Sequence, residues 1–158
     1  MRIEQHEQFI KRCIALAQEA LDAGENPFGS IIVKENEIIA EARNSTVLND
    51  ITDHAEIVAM RKAQKLLDTT DLSECILYSN CEPCPMCSFI IRELKIKEVV
   101  FALLSPGMGG YSRWNILQDE GLMKYEPVFS APPKITIRVL EKEAAEQFEK
   151  AGWTMHKT

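Results

Sequence analysis

No apolar run in this 158-residue chain approaches the roughly 20 residues that a membrane-spanning helix needs. A membrane partner is therefore not expected. The opening residues, MRIEQHEQFIKR, carry charge throughout and lack the apolar core of a signal peptide, so a cytoplasmic protein is expected. Positive charge is in short supply: 18 Lys and Arg face 24 Asp and Glu, for a net charge of −6. Proteins that grip nucleic acid through its phosphates are usually basic overall. A nucleic-acid partner is accordingly disfavoured, and a small, weakly charged substrate suits the chain better. Cysteines number five, an odd count that, without a secretion signal, argues against a disulfide framework. There is no internal repeat, no low-complexity linker and no break in composition, so one domain over residues 1–158 is expected.

What is present is apolar patterning that alternates between two periods. Phe9, Ile10, Cys13, Ile14, Ala17 and Leu21 recur at helical spacing, and Gly24, Asn26 and Pro27 end that helix. Ile31–Val33 and Ile38–Ala40 read as two strands joined by a turn at Lys34–Glu37. A polar loop from Asn44 to Thr52 precedes a helix over 54–67 and a short strand at Cys75–Tyr78. Pro83 and Pro85 permit only a helix entry, so the next helix runs through Phe89, Ile90 and Ile91. A strand at Val99–Leu103 leads to a Gly-rich loop at 105–110, expected to be flexible, and to a weak helix over 113–122. A strand through Ile135, Ile137 and Val139 and a helix over 141–151 finish the chain. The order α-β-β-α-β-α-β-α-β-α predicts an α/β fold with a central sheet covered by helices on both faces.

The chemistry concentrates in two short motifs, His54-Ala55-Glu56 and Pro83-Cys84-Pro85-Met86-Cys87. Each alone is common, and Cys-x-x-Cys by itself could be a redox pair. Jointly, in this order, they match the zinc deaminase pattern in which the Glu is not a ligand. Zinc takes tetrahedral N and S ligands, and a catalytic zinc has three from the protein, here His54, Cys84 and Cys87, with water as the fourth. Glu56 is then placed to move protons between water, a ring nitrogen and a leaving amine. Both motifs open helices, whose N-terminal dipoles favour thiolates. Plainer readings stand beside these. Asp53 and Glu56 could form a simple helix cap. A structural zinc would need a fourth protein ligand, for which Cys75 and Cys81 are nearby. Cys13 and Cys81 suit small core residues, and His6 and His156 suit solvated positions near the termini.

Pro27-Phe28-Gly29-Ser30, Asn44, Asn49-Asp50, His54-Ala55-Glu56 and Cys81-Glu82-Pro83-Cys84-Pro85-Met86-Cys87 resemble the cytidine deaminase-like zinc deaminases, over about residues 5–103. The branch resembled contains bacterial guanine deaminase and tRNA-specific adenosine deaminase. The resemblance implies a three-layer α/β/α fold with a five-stranded mixed sheet whose last two strands are parallel. It implies one zinc per chain, a homodimer, and substrate contacts at Asn44, at Phe28 and around the backbone of Ala55 and Glu82. Trp114, with Tyr111 and Arg113, forms a candidate pocket rim, and the segment from Phe148 through Trp153 to His156 a candidate cover. The run Leu103–Trp114 departs from both the tRNA-editing and the guanine deaminase patterns. The reading is an aminohydrolase of a free nucleobase or related ring, guanine or similar first. The alternatives are a tRNA-specific adenosine deaminase, a cytosine deaminase and a non-enzymatic zinc-folded protein.

Overall fold

The computed structural model describes residues 1–154. His156 lies outside them. The chain forms α1 (Ile3–Asp22), β1 (Gly29–Lys34), β2 (Glu37–Arg43), α2 (Ala55–Leu67), β3 (Ile76–Cys81), α3 (Pro85–Glu93), β4 (Glu98–Leu103), a 3-10 helix (Glu120–Tyr125), β5 (Lys134–Thr136) and α4 (Glu141–Lys150). The strands form one mixed sheet in the order β2-β1-β3-β4-β5. β1 is antiparallel to β2 and β3, whereas β3, β4 and β5 are mutually parallel. The β1–β2 hairpin closes through Glu35 and Asn36, both at positive φ (51° and 62°), which gives the twist that a two-residue turn requires. The parallel β3–β4 pair needs a crossover, and α3 supplies it.

Successive side chains of a strand point to opposite faces, and here both faces are buried. Ile32, Leu77, Val99 and Phe101 pack with Ala59, Met60 and Ala63 of α2 and Ile91 of α3. Ile31, Val33, Tyr78 and Val100 pack with Ile10, Cys13 and Leu16 of α1 and Ala144 and Phe148 of α4. This double burial explains why the central strands β1, β3 and β4 read as continuous apolar runs rather than as alternation. Burying each large apolar side chain contributes roughly 1.5–3 kcal/mol.

Three expectations fail. No α-helix forms over 113–122; turns lead instead into the short 3-10 helix at Glu120–Tyr125. The buried guanidinium of Arg92 shapes this stretch, donating to the carbonyls of Ile116 (2.9 Å), Asp119 (2.8 Å) and Ser130 (3.2 Å). β5 is only three residues long: Arg138 takes positive φ (62°) and interrupts the regular ladder, beyond which Val139 N reaches back to Phe101 O of β4 at 3.4 Å. His6 is not solvated: it is a buried residue of α1, its Nδ1 2.9 Å from the Tyr78 hydroxyl.

Candidate active site

The two motifs meet because each opens a helix at the same end of the sheet. His54 is the N-cap residue of α2 and Cys84 that of α3, while Glu56 and Cys87 lie in the respective first turns. Pro85 follows Cys84 at the first helical position, where its missing N–H costs nothing. His54 Nδ1 stands 3.5 Å from Cys84 Sγ and 3.6 Å from Cys87 Sγ, and all three donor atoms lie within 4.8 Å of one another. Zn–N and Zn–S bonds of about 2.0 and 2.3 Å at a tetrahedral angle separate N from S by about 3.5 Å. The triad therefore has the spacing of three corners of a zinc tetrahedron, as well as its donor set. Among the described residues this group contains no fourth His, Cys, Asp or Glu ligand, so the structural-zinc reading lacks its ligand. Cys13 and Cys81 are wholly buried, with thiols pushed up chiefly by that burial, as core residues should be.

The electrostatics of the triad favour a cation. A hydrogen bond from Cys87, reinforced by His54, draws the Cys84 thiol down to about 4. Cys87 is held well above its ordinary value by the same bond and by burial, and the hydrogen bond to Cys84 raises His54. A metal ion would replace those shared protons. Glu56 is buried beside the ligands, with Oε2 3.7 Å from Cys87 Sγ and Oε1 accepting from Ser79 Oγ at 3.4 Å. Burial, and then the negative Cys84, push its carboxyl up to about 7. A group titrating there suits proton transfer in both directions near neutral pH.

These residues face a cavity of about 450 Å³, within the range of small-molecule sites. Phe28, Asn44, His54, Glu56, Glu82 and Cys84 all line it. Ala55 is wholly buried in the first turn of α2, and Cys87 is buried behind Cys84. Trp114 does not fulfil its expected place. It is half exposed, with Arg113 stacked over its ring at 5.3 Å, and it is not among the lining residues. Trp153 and Thr154 stand in the wall instead, Trp153 edge-on to Phe28 at 5.6 Å. Asp53 does not cap α2 either. Its carboxylate accepts from Asn49 and, at 3.1 Å, from Arg61, tying the polar loop to the helix.

Three buried polar side chains that sequence reasoning left unassigned, or assigned otherwise, hold the walls. Asn80 accepts from Gly29 N at 3.0 Å and donates to Pro27 O at 2.9 Å, clamping the turn that carries Phe28. A Cβ at Gly29 would collide with the backbone of Cys13 and Ala17 on α1, so glycine is required at that close approach. Glu25 accepts from Asn44, Val47 and Leu48. Glu82, expected to offer backbone to a ligand, uses its carboxylate to accept from Ser105 N, Tyr111 N, Ser112 N and Ser112 Oγ, at 2.7–3.1 Å. The Gly-rich loop is therefore wrapped around a carboxylate rather than left free. Glu25 lies just ahead of the quoted Pro27–Ser30 run, the one local sign of its importance.

The cytidine and deoxycytidylate deaminase zinc-binding region model matches residues 3–103. The chain belongs to this family of zinc deaminases. Guanine deaminase of Bacillus subtilis is 50% identical over 99 residues, 61% of this chain and 64% of its own length. tRNA-specific adenosine deaminase of Aquifex aeolicus is 43% identical over 118 residues, 73% of this chain and 78% of its own. A solved tRNA:A34 deaminase, studied for A-to-I editing at the wobble position, superposes with a TM-score of 0.75. It is 28% identical, and the match covers 89% of this chain and 98% of that one. Among the described residues no helix is long and apolar enough to cross a membrane.

Proposed function

We propose that the chain is a single hydrolytic deaminase domain. It removes the exocyclic amine of a free nucleobase or similar ring, guanine foremost, and releases ammonia. The observation that carries this reading is the placement of Glu56. It is a buried carboxyl with a pKa near 7, facing the cavity 3.7 Å from a member of a three-ligand N/S/S triad. Zinc held by His54, Cys84 and Cys87 would supply a Lewis acid that brings the pKa of a coordinated water toward 7. Glu56 takes the proton from the attacking water and returns protons to a ring nitrogen and to the departing amine. Phe28 and Trp153 offer aromatic walls for a flat ring, and Asn44 offers an amide to its edge.

A free ring is supported by the net charge of −6 and by the divergent run after Leu103. Relatives of both substrate classes occur, so the tRNA reading is the second to test. Ammonia release should be measured with zinc-loaded protein on guanine, adenine, cytosine, pterins and triazines, and inosine formation on a tRNA anticodon stem-loop. Guanine should be turned over fastest, and Glu56→Ala should lose nearly all turnover while retaining zinc. Silence on every ring would defeat the proposal, and inosine in the stem-loop would establish the second reading instead. Silence on both would leave the zinc-folded binding protein. A homodimer is proposed with it: Phe89, Met123, Tyr125 and Val128 are exposed apolar side chains suited to a second copy. Light scattering on the eluted protein tests that.

A further inference from the structure

Glu25 is neither a member of the metal triad nor a lining residue, yet it is only 5% exposed. Its Oε1 accepts from Asn44 Nδ2 at 3.2 Å and from Val47 N at 3.0 Å, and its Oε2 accepts from Leu48 N at 2.8 Å. A carboxylate offers acceptors only, whereas an amide has one donating and one accepting end. Asn44 must therefore turn its NH₂ toward Glu25. The same Nδ2 lies 2.9 Å from Thr46 Oγ1, which takes the second hydrogen. Both donors are thereby committed inside the wall. Asn44 lines the cavity, and Oδ1 is the atom of its amide left for a ligand.

We propose that Glu25 is a positioning residue that determines specificity: it fixes the polarity of the Asn44 amide, so that this amide accepts hydrogen bonds from the ligand and selects rings bearing an N–H. The inference rests on the reading of Asn44 as a substrate contact. Guanine carries N–H on both of its rings. In an adenosine the only N–H belongs to the amine that leaves, and its ring nitrogens are acceptors. An Asn44 amide that can only accept gains a hydrogen bond from the first and is left an unpaired acceptor facing the second. Leaving a buried polar group unpaired is the costlier error, and it is how such sites reject analogues.

The test is direct binding by calorimetry to zinc-loaded Glu56→Ala protein, which removes turnover from the readout. Two probes are compared: guanine, and 9-methylpurine, whose ring nitrogens at N1, N3 and N7 are all acceptors. Adding E25Q, whose amide can also donate to Asn44 Oδ1 and so lets the amide reverse, should weaken guanine about tenfold, the scale of one hydrogen bond. The 9-methylpurine Kd should hold or tighten, so the guanine preference contracts about tenfold or more. Thr46→Val frees one Nδ2 hydrogen without touching Glu25 and should contract the preference in the same direction. Because Thr46 also lines the cavity, it is paired with Thr46→Ser, which keeps the hydroxyl and should keep the parent preference, and the pair decides the matter if E25Q fails to fold. Equal weakening of both probes would overturn the inference and leave Glu25 a structural residue. If Asn44→Ala leaves guanine binding unchanged, the reading of Asn44 falls instead. If the parent protein binds no guanine, the proposed substrate falls.

Discussion

The backbone at Gly109 runs so close to Glu82 that a Cβ there would occupy the position of the carboxylate oxygen Oε2. The four hydrogen bonds that Glu82 collects from Ser105, Tyr111 and Ser112 all depend on that approach. Gly109→Ala should therefore cost about 3 kcal/mol, since it strands a buried carboxylate and several buried N–H groups at once. Thermal unfolding should fall by roughly 10 °C. Limited proteolysis should newly cut within residues 104–114. A variant that melts like the parent and resists cleavage would show that the loop does not depend on Glu82.

Removing the metal should destabilise the fold measurably. Any ligand that binds only the native state stabilises it by about 2.7 kcal/mol at a hundredfold excess over its Kd. Both helix N-termini that bring the triad together carry a ligand at the N-cap, His54 on α2 and Cys84 on α3. A chelator should thus lower the melting temperature of the zinc-loaded protein by several degrees. Cys84→Ala should contain less than a tenth of an equivalent of zinc by elemental analysis, and the chelator should no longer shift its melting. A Cys84→Ala protein that still carried one zinc would refute the three-ligand assignment.

What could be read in the sequence, and what could not, divides along the range of the interactions. His54, Glu56, Cys84 and Cys87 were legible because zinc chemistry packs its ligands into two short windows, each opening a helix. The three central strands β1, β3 and β4 were legible because they are buried on both faces and read as continuous apolar runs, whereas the edge strand β5 is shorter than the alternation through Val139 implied. The wall-holding residues were not. Asn80 reaches Gly29, 51 positions away, and Glu82 reaches Ser112, 30 positions away. Their partners are mostly backbone N–H groups, which every residue carries and no pattern announces. The failed helix over 113–122 has the same cause. The N–H groups of Tyr111 and Ser112 go to Glu82, and those of Arg113, Trp114, Ile116 and Leu117 go to the carbonyls of Gly109 and Gly110, so no regular ladder remains for a helix.

His6 makes the fold sensitive to acid. Burial holds its pKa below the ordinary 6.5, although Glu98, 3.8 Å away, pulls in the opposite direction. The chain terminus and Lys134 add to the lowering. With a depressed folded value, the unfolded chain binds the proton more readily, so stability rises with pH across the window below 6.5 and is lost as pH falls through it. His6→Gln cannot take up that proton. Melting temperatures compared at pH 7.5 and pH 5 should fall more for the parent than for His6→Gln. Equal decreases in both proteins would show that His6 does not contribute.

Trp153 closes the aromatic corner of the cavity. Its ring meets Phe28 edge-on at 5.6 Å and 89°, and Phe148 at 6.1 Å; Phe28 and Phe148 in turn stand 5.4 Å apart. Phe148 is fully buried on α4, so the corner rests on the core, and Trp153 is its outer, half-buried member. Edge-to-face pairs contribute about 0.5–1.5 kcal/mol beyond the area they bury. Trp153→Ala should therefore cost about 1–2 kcal/mol of stability and leave the zinc content at one equivalent. If the corner holds the ring, KM for guanine should rise about tenfold while kcat stays within threefold, the signature of lost binding common to ground and transition states. Trp153→Phe should recover most of the affinity, because it restores a flat apolar edge. A KM unchanged in Trp153→Ala would place the ring deeper, against Phe28 and Asn44 alone.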